Sequence, residues 1–294
     1  MCTCEKEGKS MTRKISVIIV AYVNIEDIKN CIESIVAQND LGNEIEIIVV
    51  DNSPNMNLYQ FVQQTYPFVT LIKNENTGFG DANNKGAEVA KGDILFFLNP
   101  DTILVEPIFG HIEERMKDPK IGILGLNLLD KNYKKNSSYG WIDRDNILSN
   151  QLLKLYKKLG YFDGNRMYIE GANIIIRKQV FNEAGRFDKN LFMYFEEQDL
   201  SKRVLQLGYQ SVYDGTHSLI HLQGGSSSSE SSLKYELTSL KYYCKKYNLD
   251  FSKRVKKKIR SMKLKKAIFR FLDQNRYCYY TNSLKTYEEV RYDN

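Results

Sequence analysis

The chain has 294 residues, 42% of them hydrophobic, and a formal charge of +6, which suits one large α/β domain with an appendage or two modest domains. No run approaches the roughly 18 apolar residues of a membrane-spanning helix, and the opening MCTCEKEGKSMTRK lacks the apolar core of a secretory signal, so a cytoplasmic protein is expected. The five cysteines, Cys2, Cys4, Cys31, Cys244 and Cys278, are scattered and read as reduced thiols; Cys2 and Cys4 lack the Cys/His cluster that would complete a zinc site.

In chain order, ISVIIVAY (15–22) reads as a strand, and Ile25, Ile28, Ile32, Ile35 and Val36 mark one face of a helix. EIEIIVVDNS gives a second strand, LYQFVQQTY a second helix and VTLIKN a third strand. ANNKGAEVAKG reads as a helix closed by Gly92, and DILFFLN as a fourth strand. Such alternation predicts a mainly parallel sheet wrapped by helices. A helix near 106–117 and the strand IGILGLNLL follow. From 131 to 167 the pattern turns polar and offers no period. Order resumes with the strand YIEGANIIIR and a helix opening near Glu197 that Gly208 ends. GGSSSSESS (224–232) reads as a flexible loop, and 233–272 as Lys/Tyr-rich helix.

Three polar clusters fall at element ends: Asp51-Asn52-Ser53, Asn99-Pro100-Asp101 and Glu196-Glu197-Gln198-Asp199. Any one of them can be only a cap or turn former. Together they are expected on the same edge of one sheet, where open α/β folds bind ligands. Asp51 can accept from a ribose hydroxyl or a base N–H. The first turn, AYVNIED, has no G-x-G-x-x-G, which disfavours a nicotinamide or flavin dinucleotide. A hard divalent cation, Mg²⁺ or Mn²⁺, fits Asp101 better, shared with substrate phosphates. By composition His221 is an ordinary histidine, the aromatic residues Phe192, Tyr194 and Phe195 are packing, and Gly171-Ala172 permits close backbone approach.

The pieces SVIIVAYVNIEDIKNCIESI, EIIVVDNS, NENTGFGDANNKGAEVAKGDILFFLNPDTIL, YIEGANIIIRKQVFNEAGRFDKNLFMYFEEQDLSKRVLQLGY and HLQGGSS resemble, in order, the inverting nucleotide-sugar glycosyltransferases of family 2. The likeness covers about residues 15–230, and LNPDT and FMYFEEQDL are most similar to rhamnosyltransferase-type members that build bacterial surface polysaccharides. The resemblance implies the α/β GT-A fold of nucleotide-diphospho-sugar transferases, with a C-terminal helical extension. It divides the chain into a flexible N-terminus (1–14), a donor-binding half (15–130), an acceptor and catalytic half (131–232) and a basic helical extension (233–294).

Carried over position by position, Ala21 and Tyr22 wrap the nucleotide, Asp51 recognises the base, and Gly78 and Asn83 line the donor pocket. Asn99 and Asp101 occupy the D-x-D position, where Asn99 withholds the first carboxylate and leaves metal dependence open. Asp101 and His221 are the implied metal and diphosphate ligands. Gly171, Ala172 and Glu196 fall on the acceptor side. Glu197 takes the place of the catalytic base, and its extra methylene relative to the family's aspartate leaves Asp199 or Glu196 open as the base. The donor implied is dTDP-rhamnose or a UDP-sugar, and the acceptor a glycan or lipid-linked glycan. A catalytically silent nucleotide-sugar or glycan binding module is the alternative. A nucleotidyltransferase would need a Gly-rich basic loop near the N-terminus, and AYVNIED offers none.

The charge is localised: residues 253–270 hold ten Lys/Arg and no Asp/Glu, leaving the remaining chain at −4. Val255, Ile259, Met262 and Phe269, with Ile268 and Leu272, approximate one helical face. An anionic membrane surface, the inner face of the cell membrane, is the expected partner. Nucleic acid is not expected, since no recognised binding fold accompanies the run. A packing helix or a homo-oligomer contact is the other occupant left open.

Overall fold

Near-continuous β-branched and aromatic runs form strands where both sheet faces are covered. The computed structural model describes residues 14–136, 139–143, 147–222 and 230–290. In it β1 (Ile15–Ala21), α1 (Ile25–Ala37), β2 (Ile45–Asp51), α2 (Asn57–Thr65), β3 (Thr70–Lys73), α3 (Phe79–Val89) and β4 (Ile94–Leu98) follow the expected alternation. Next come β5 (Thr102–Leu104), α4 (Phe109–Met116), β6 (Ile121–Leu129), β7 (Tyr139–Trp141), α5 (Ile147–Leu159), β8 (Met167–Ile169), β9 (Asn173–Arg177), α6 (Lys178–Glu183), α7 (Glu196–Gln206) and β10 (Gln210–His221). The helices α8 (Glu230–Lys246), α9 (Phe251–Phe269) and α10 (Gln274–Val290) close the described chain. The N-terminal tail to residue 13, with Cys2 and Cys4, and residues 223–229 of the serine-rich loop lie outside the described residues.

The eight-stranded sheet has the order β3-β2-β1-β4-β9-β6-β10-β5. β3, β2, β1 and β4 are parallel, and β6 and β10 are parallel to each other. β9 is antiparallel to β4 and β6, β5 is antiparallel to β10, and β7 and β8 form a separate ribbon. The two-residue period divides each strand between two cores. Ile15, Val17 and Ile19 of β1, with Phe96 of β4, face Ile28 and Ile32 of α1, Leu58 of α2 and Ile112 of α4. Ile18, Leu95 and Phe97 face the opposite layer, with Ala87 of α3, Phe181 of α6 and Leu200 of α7. A third cluster joins α8, α9 and α10. Cys31, Cys244 and Cys278 are free thiols. Among the described residues no helix is long and apolar enough to cross a membrane.

Several expectations shift. Val36 is exposed and Cys31 takes its place on the buried face of α1. α3 ends at Val89, ahead of Gly92, because the N–H groups of Lys91 and Gly92 turn away to donate to Glu46 Oε1 at 2.5 and 3.2 Å. The stretch 131–167, aperiodic as a whole, contains the amphipathic α5, whose Ser149 carbonyl accepts from Trp141 Nε1 at 2.8 Å. The strand expected over YIEGANIIIR is two strands, split by the Glu170–Ala172 turn. Residues 230–232 of the expected loop begin α8. Val255, Ile259 and Met262 of α9, expected on a face turned to a membrane, are buried between helices.

Candidate active site

Parallel strands deliver their C-terminal ends to one edge, and the register fixes which residues arrive there. Ala21 pairs with Asp51, and Ile19 with Leu98, so Tyr22, Asn52 and Asn99 emerge side by side. Val23 turns left-handed (φ 54°) and its N–H donates to Ser53 Oγ at 2.8 Å, while Asn24 caps α1. Asp51, expected to recognise a base, is fully buried and already engaged: Oδ1 accepts from Ser53 N–H at 2.8 Å and Oδ2 from Lys73 Nζ at 3.0 Å. Lys73, not Asp51, is the partly exposed member of the pair.

Gly78 and Asn83 act through the backbone. Gly78 has φ +107°, and a Cβ there would meet the Phe192 carbonyl oxygen at 2.4 Å. Only glycine lets the NTGFG turn approach the loop before α7, where Phe79 N–H donates to the same carbonyl at 2.9 Å. Asn83 is buried and donates to Phe79 O at 3.0 Å, so its side chain holds the first turn of α3.

Beyond β4 the Asn99 carbonyl accepts from Thr102 Oγ1 at 2.6 Å, and Asn99 N–H donates to Ala172 O at 3.1 Å. The turn presents Asp101 to His221, which β10 carries opposite Thr102 of β5. Asp101 Oδ1 and His221 Nε2 are 3.2 Å apart, and both side chains are partly open. Burial first, then the charge of Asp101, holds Asp27 above its ordinary pKa, so this rim is rich in negative charge. Among the described residues no group of three or more His, Cys, Asp or Glu gathers as a metal cage. Two donors on one rim fit a hard cation that takes its other ligands from phosphate and water.

A cavity of about 470 Å³ opens beside this rim. It brings together Asn99, Gly171, Ala172, Glu196, Glu197 and His221. The acidic segment enters through strain: Tyr194 and Phe195 are consecutive left-handed residues (φ 72° and 71°) ahead of α7, each costing on the order of 1–3 kcal/mol. The turn places Glu196, Glu197 and Asp199 in the first turn of α7, where helix N-termini favour negative charge.

These three carboxylates have different environments. Glu197 Oε1 accepts from Gly171 N–H at 3.1 Å, and a Cβ on Gly171 would sit 2.2 Å from that oxygen. Burial, with a contribution from Glu170, pushes Glu197 up to about 7 against the opposing backbone hydrogen bonds. Glu196 is buried with Oε2 unpartnered among the described residues, and burial and then the charge of Glu197 raise it well above the carboxylate range. Asp199, left open as the base, is fully buried and occupied. Arg203 Nη2 and Lys246 Nζ each lie 2.6 Å from it, and Tyr247 OH donates at 2.8 Å. It does not line the cavity.

Sequence reasoning missed part of the wall. Asn136, Tyr168, Glu170, Met193 and Glu236 line the cavity; Tyr168, Glu170 and Met193 lie inside the quoted motifs without being singled out, and Asn136 and Glu236 lie outside any motif. Glu236 belongs to α8 and is itself bonded to Lys258 Nζ of α9 and, at 3.2 Å, to Tyr287 OH of α10. The C-terminal helices are thus part of the site wall. Phe192 and Phe195, expected as packing, stack on Tyr235 and Tyr243 of α8 at 4.6 and 5.3 Å.

The sequence profile described as glycosyl transferase family 2 matches residues 16–199. The chain is 24% identical over 283 residues to the protein described as uncharacterized glycosyltransferase YfnE of Bacillus subtilis (strain 168), covering 80% of this chain and 71% of the relative. It is 25% identical over 223 residues to rhamnosyltransferase WbbL of Escherichia coli (strain K12), covering 70% and 83%. Matches to longer relatives span as little as 18% of their length. Among solved structures, mannosyltransferase PcManGT from Pyrobaculum calidifontis in complex with GDP-Man and Mn2+ is similar, with a TM-score of 0.62 over 95% of this chain and 87% of its own at 11% identity, a likeness of fold.

Proposed function

The chain belongs to glycosyl transferase family 2 and has the GT-A fold of a glycosyltransferase, and on that premise we propose that it transfers a sugar with inversion from a nucleoside-diphosphate donor to a glycan or lipid-linked acceptor. The observation that carries this reading is the cavity in which Glu197, raised to about 7, faces the Asn99 and His221 rim. A carboxylate near neutrality is matched to accepting a proton at working pH. The Glu197 carboxylate takes the acceptor hydroxyl's proton as that oxygen bonds to the anomeric carbon. The anomeric carbon–oxygen bond breaks on the opposite face, and the nucleoside diphosphate leaves with the electron pair.

Asp101 and His221 would hold a Mg²⁺ or Mn²⁺ ion, which when bound supplies positive charge to the departing diphosphate. The Gly171 N–H orients Glu197, and Glu236 and Tyr168 border the acceptor side. Similarity to a rhamnosyltransferase supports a rhamnosyl donor; dTDP-rhamnose or a UDP-sugar is the donor this reading takes, with bacterial surface polysaccharide as the product class.

The test is a donor screen: UDP-, dTDP- and GDP-sugars with Mg²⁺ or Mn²⁺, reading nucleoside diphosphate release and the anomeric configuration of the product. Release from one donor with an inverted product is expected. Binding of a donor without release under any condition would replace this reading with a silent sugar-nucleotide binding module. Asp101→Asn should weaken metal-dependent binding of the free nucleoside diphosphate; unchanged affinity would remove Asp101 from the ion's ligands.

A further inference from the structure

The helix α9 carries two apolar stripes on opposite sides. Val255, Ile259 and Met262 are buried against Leu233, Leu237 and Leu240 of α8 and Leu284 and Tyr287 of α10. About half a turn away, at ~100° per residue, Leu264 and Ile268 are 59% and 48% exposed. In the turn that follows, Phe271 and Leu272 are 86% and 74% exposed. One stripe suffices to bind a helix to its own bundle, and the second stays largely in solvent among the described residues.

Positive charge surrounds that second stripe. Arg254, Lys258 and Lys263 pair with Asp143, Glu236 and Glu288. Lys253, Lys256, Arg260, Lys265 and Arg270 are exposed and have no carboxylate partner among the described residues. Between α9 and α10 a groove of about 520 Å³ presents Lys263, Lys266, Arg270 and Lys285 against the single acid Glu288, which favours phosphate-bearing groups.

An exposed apolar tip ringed by unpaired cations matches a surface that is anionic outside and apolar beneath. A second copy of the chain would bring identical basic faces together, and no recognised nucleic-acid-binding fold accompanies the basic run. The tip is also displaced from the chemistry: about 17 Å of helix, at 1.5 Å per residue, separates Lys258, which holds the cavity residue Glu236, from Phe269 at the end of α9. We propose that the α9–α10 tip docks the enzyme on an anionic leaflet, with Leu264, Ile268, Phe271 and Leu272 entering the interface while the flanking Lys and Arg bind headgroup phosphates. A cavity held that far above the leaflet would meet a glycan standing on a lipid. The docking itself does not depend on the transfer reaction.

The experiment uses the full chain with vesicles of phosphatidylglycerol and phosphatidylcholine, and with pure phosphatidylcholine as control. Sedimentation with the anionic vesicles is expected, weakening about tenfold or more when salt is raised to about 0.5 M, where the Debye length is a few Å. Ile268→Ser with Phe271→Ser and Leu272→Ser, and separately Lys265→Glu with Arg270→Glu, should each weaken binding about tenfold while circular dichroism and melting stay unchanged, since all five side chains are exposed. Undiminished binding by the serine variant would overturn the insertion. Displacement of the protein from vesicles by equimolar duplex DNA would overturn lipid as the partner. So would concentration-dependent dimerisation that the serine variant abolishes, in a protein that ignores vesicles.

Discussion

Two sides of the first turn of α7 hold carboxylates two positions apart and use them in opposite ways. On the cavity side Glu197 has backbone donors, Gly171 among them, and no cation partner among the described residues, and burial keeps its proton near neutral pH. On the bundle side Asp199 is more deeply buried, yet Arg203, Lys246 and Tyr247 surround it. Burial alone would pull Lys246 down, but its hydrogen bonds to Asp188 and Asp199 outweigh that and raise it. Desolvation therefore does not by itself mark a reactive acid. A desolvated carboxylate left unpaired can move a proton, and one that is paired fastens a helix.

The comparison breaks most sharply at Glu197. Glu197→Gln should lower transfer about 10²–10⁴-fold while leaving donor binding intact. In the native enzyme the rate should fall about tenfold per pH unit below about 7, because only the ionised form accepts a proton. The stability sign is opposite: with a folded pKa above the unfolded value, Glu197 destabilises the fold as pH rises past the unfolded value and toward about 7. Glu197→Gln should therefore melt higher than the native protein at pH about 8, measured by calorimetry. A lower melting temperature there would show that the carboxylate is paired after all.

Asp199→Asn should do the reverse. It leaves Arg203 without its carboxylate and Lys246 with Asp188 alone, and breaking such a buried pair costs about 3–5 kcal/mol, read as a drop in denaturant midpoint. A variant as stable as the native protein but inactive would move the catalytic role to Asp199. Next in size, Gly171→Ala forces a methyl against Glu197 Oε1. Overpacking of this kind costs about 1–3 kcal/mol, and the pH midpoint of transfer should shift as the Gly171 hydrogen bond is lost. The smallest effect concerns Asp188. Burial would raise its pKa, but Lys246, Asn190 and Tyr242 hold it down at about 2. Its stabilisation is present above about pH 4 and lost as pH falls through about 2, so Asp188→Asn should flatten the acid limb of the stability profile.

How far the sequence carried this site differs by element. The motif around FEEQDL placed an acid cluster at the start of a helix, and the DNS and NPD ends of β2 and β4 are where the strand pattern put them. Asp51 and Asn83 were legible as positions but not as environments, since Lys73 and Phe79 O occupy them. Glu236 was not legible at all: a lone acid in a Lys/Tyr-rich helix carries no pattern, and only the docking of α8 brings it to the cavity.

Local chemistry is what the sequence determined. Apolar runs of the right length make parallel strands, their C-terminal ends carry Asp51 and Asp101, and glycine at 78 permits the left-handed turn. Only the tertiary structure decided which acid is free and which apolar stripe is spare. Asp199 has one cation within its own helix, Arg203, but its second, Lys246, and the hydroxyl donor Tyr247 come from α8 and the turn after it, and the helices that bury Val255 but leave Phe271 in solvent come from both sides of α9. Pairing and desolvation depend on distance in space, and no local period in the chain encodes that distance.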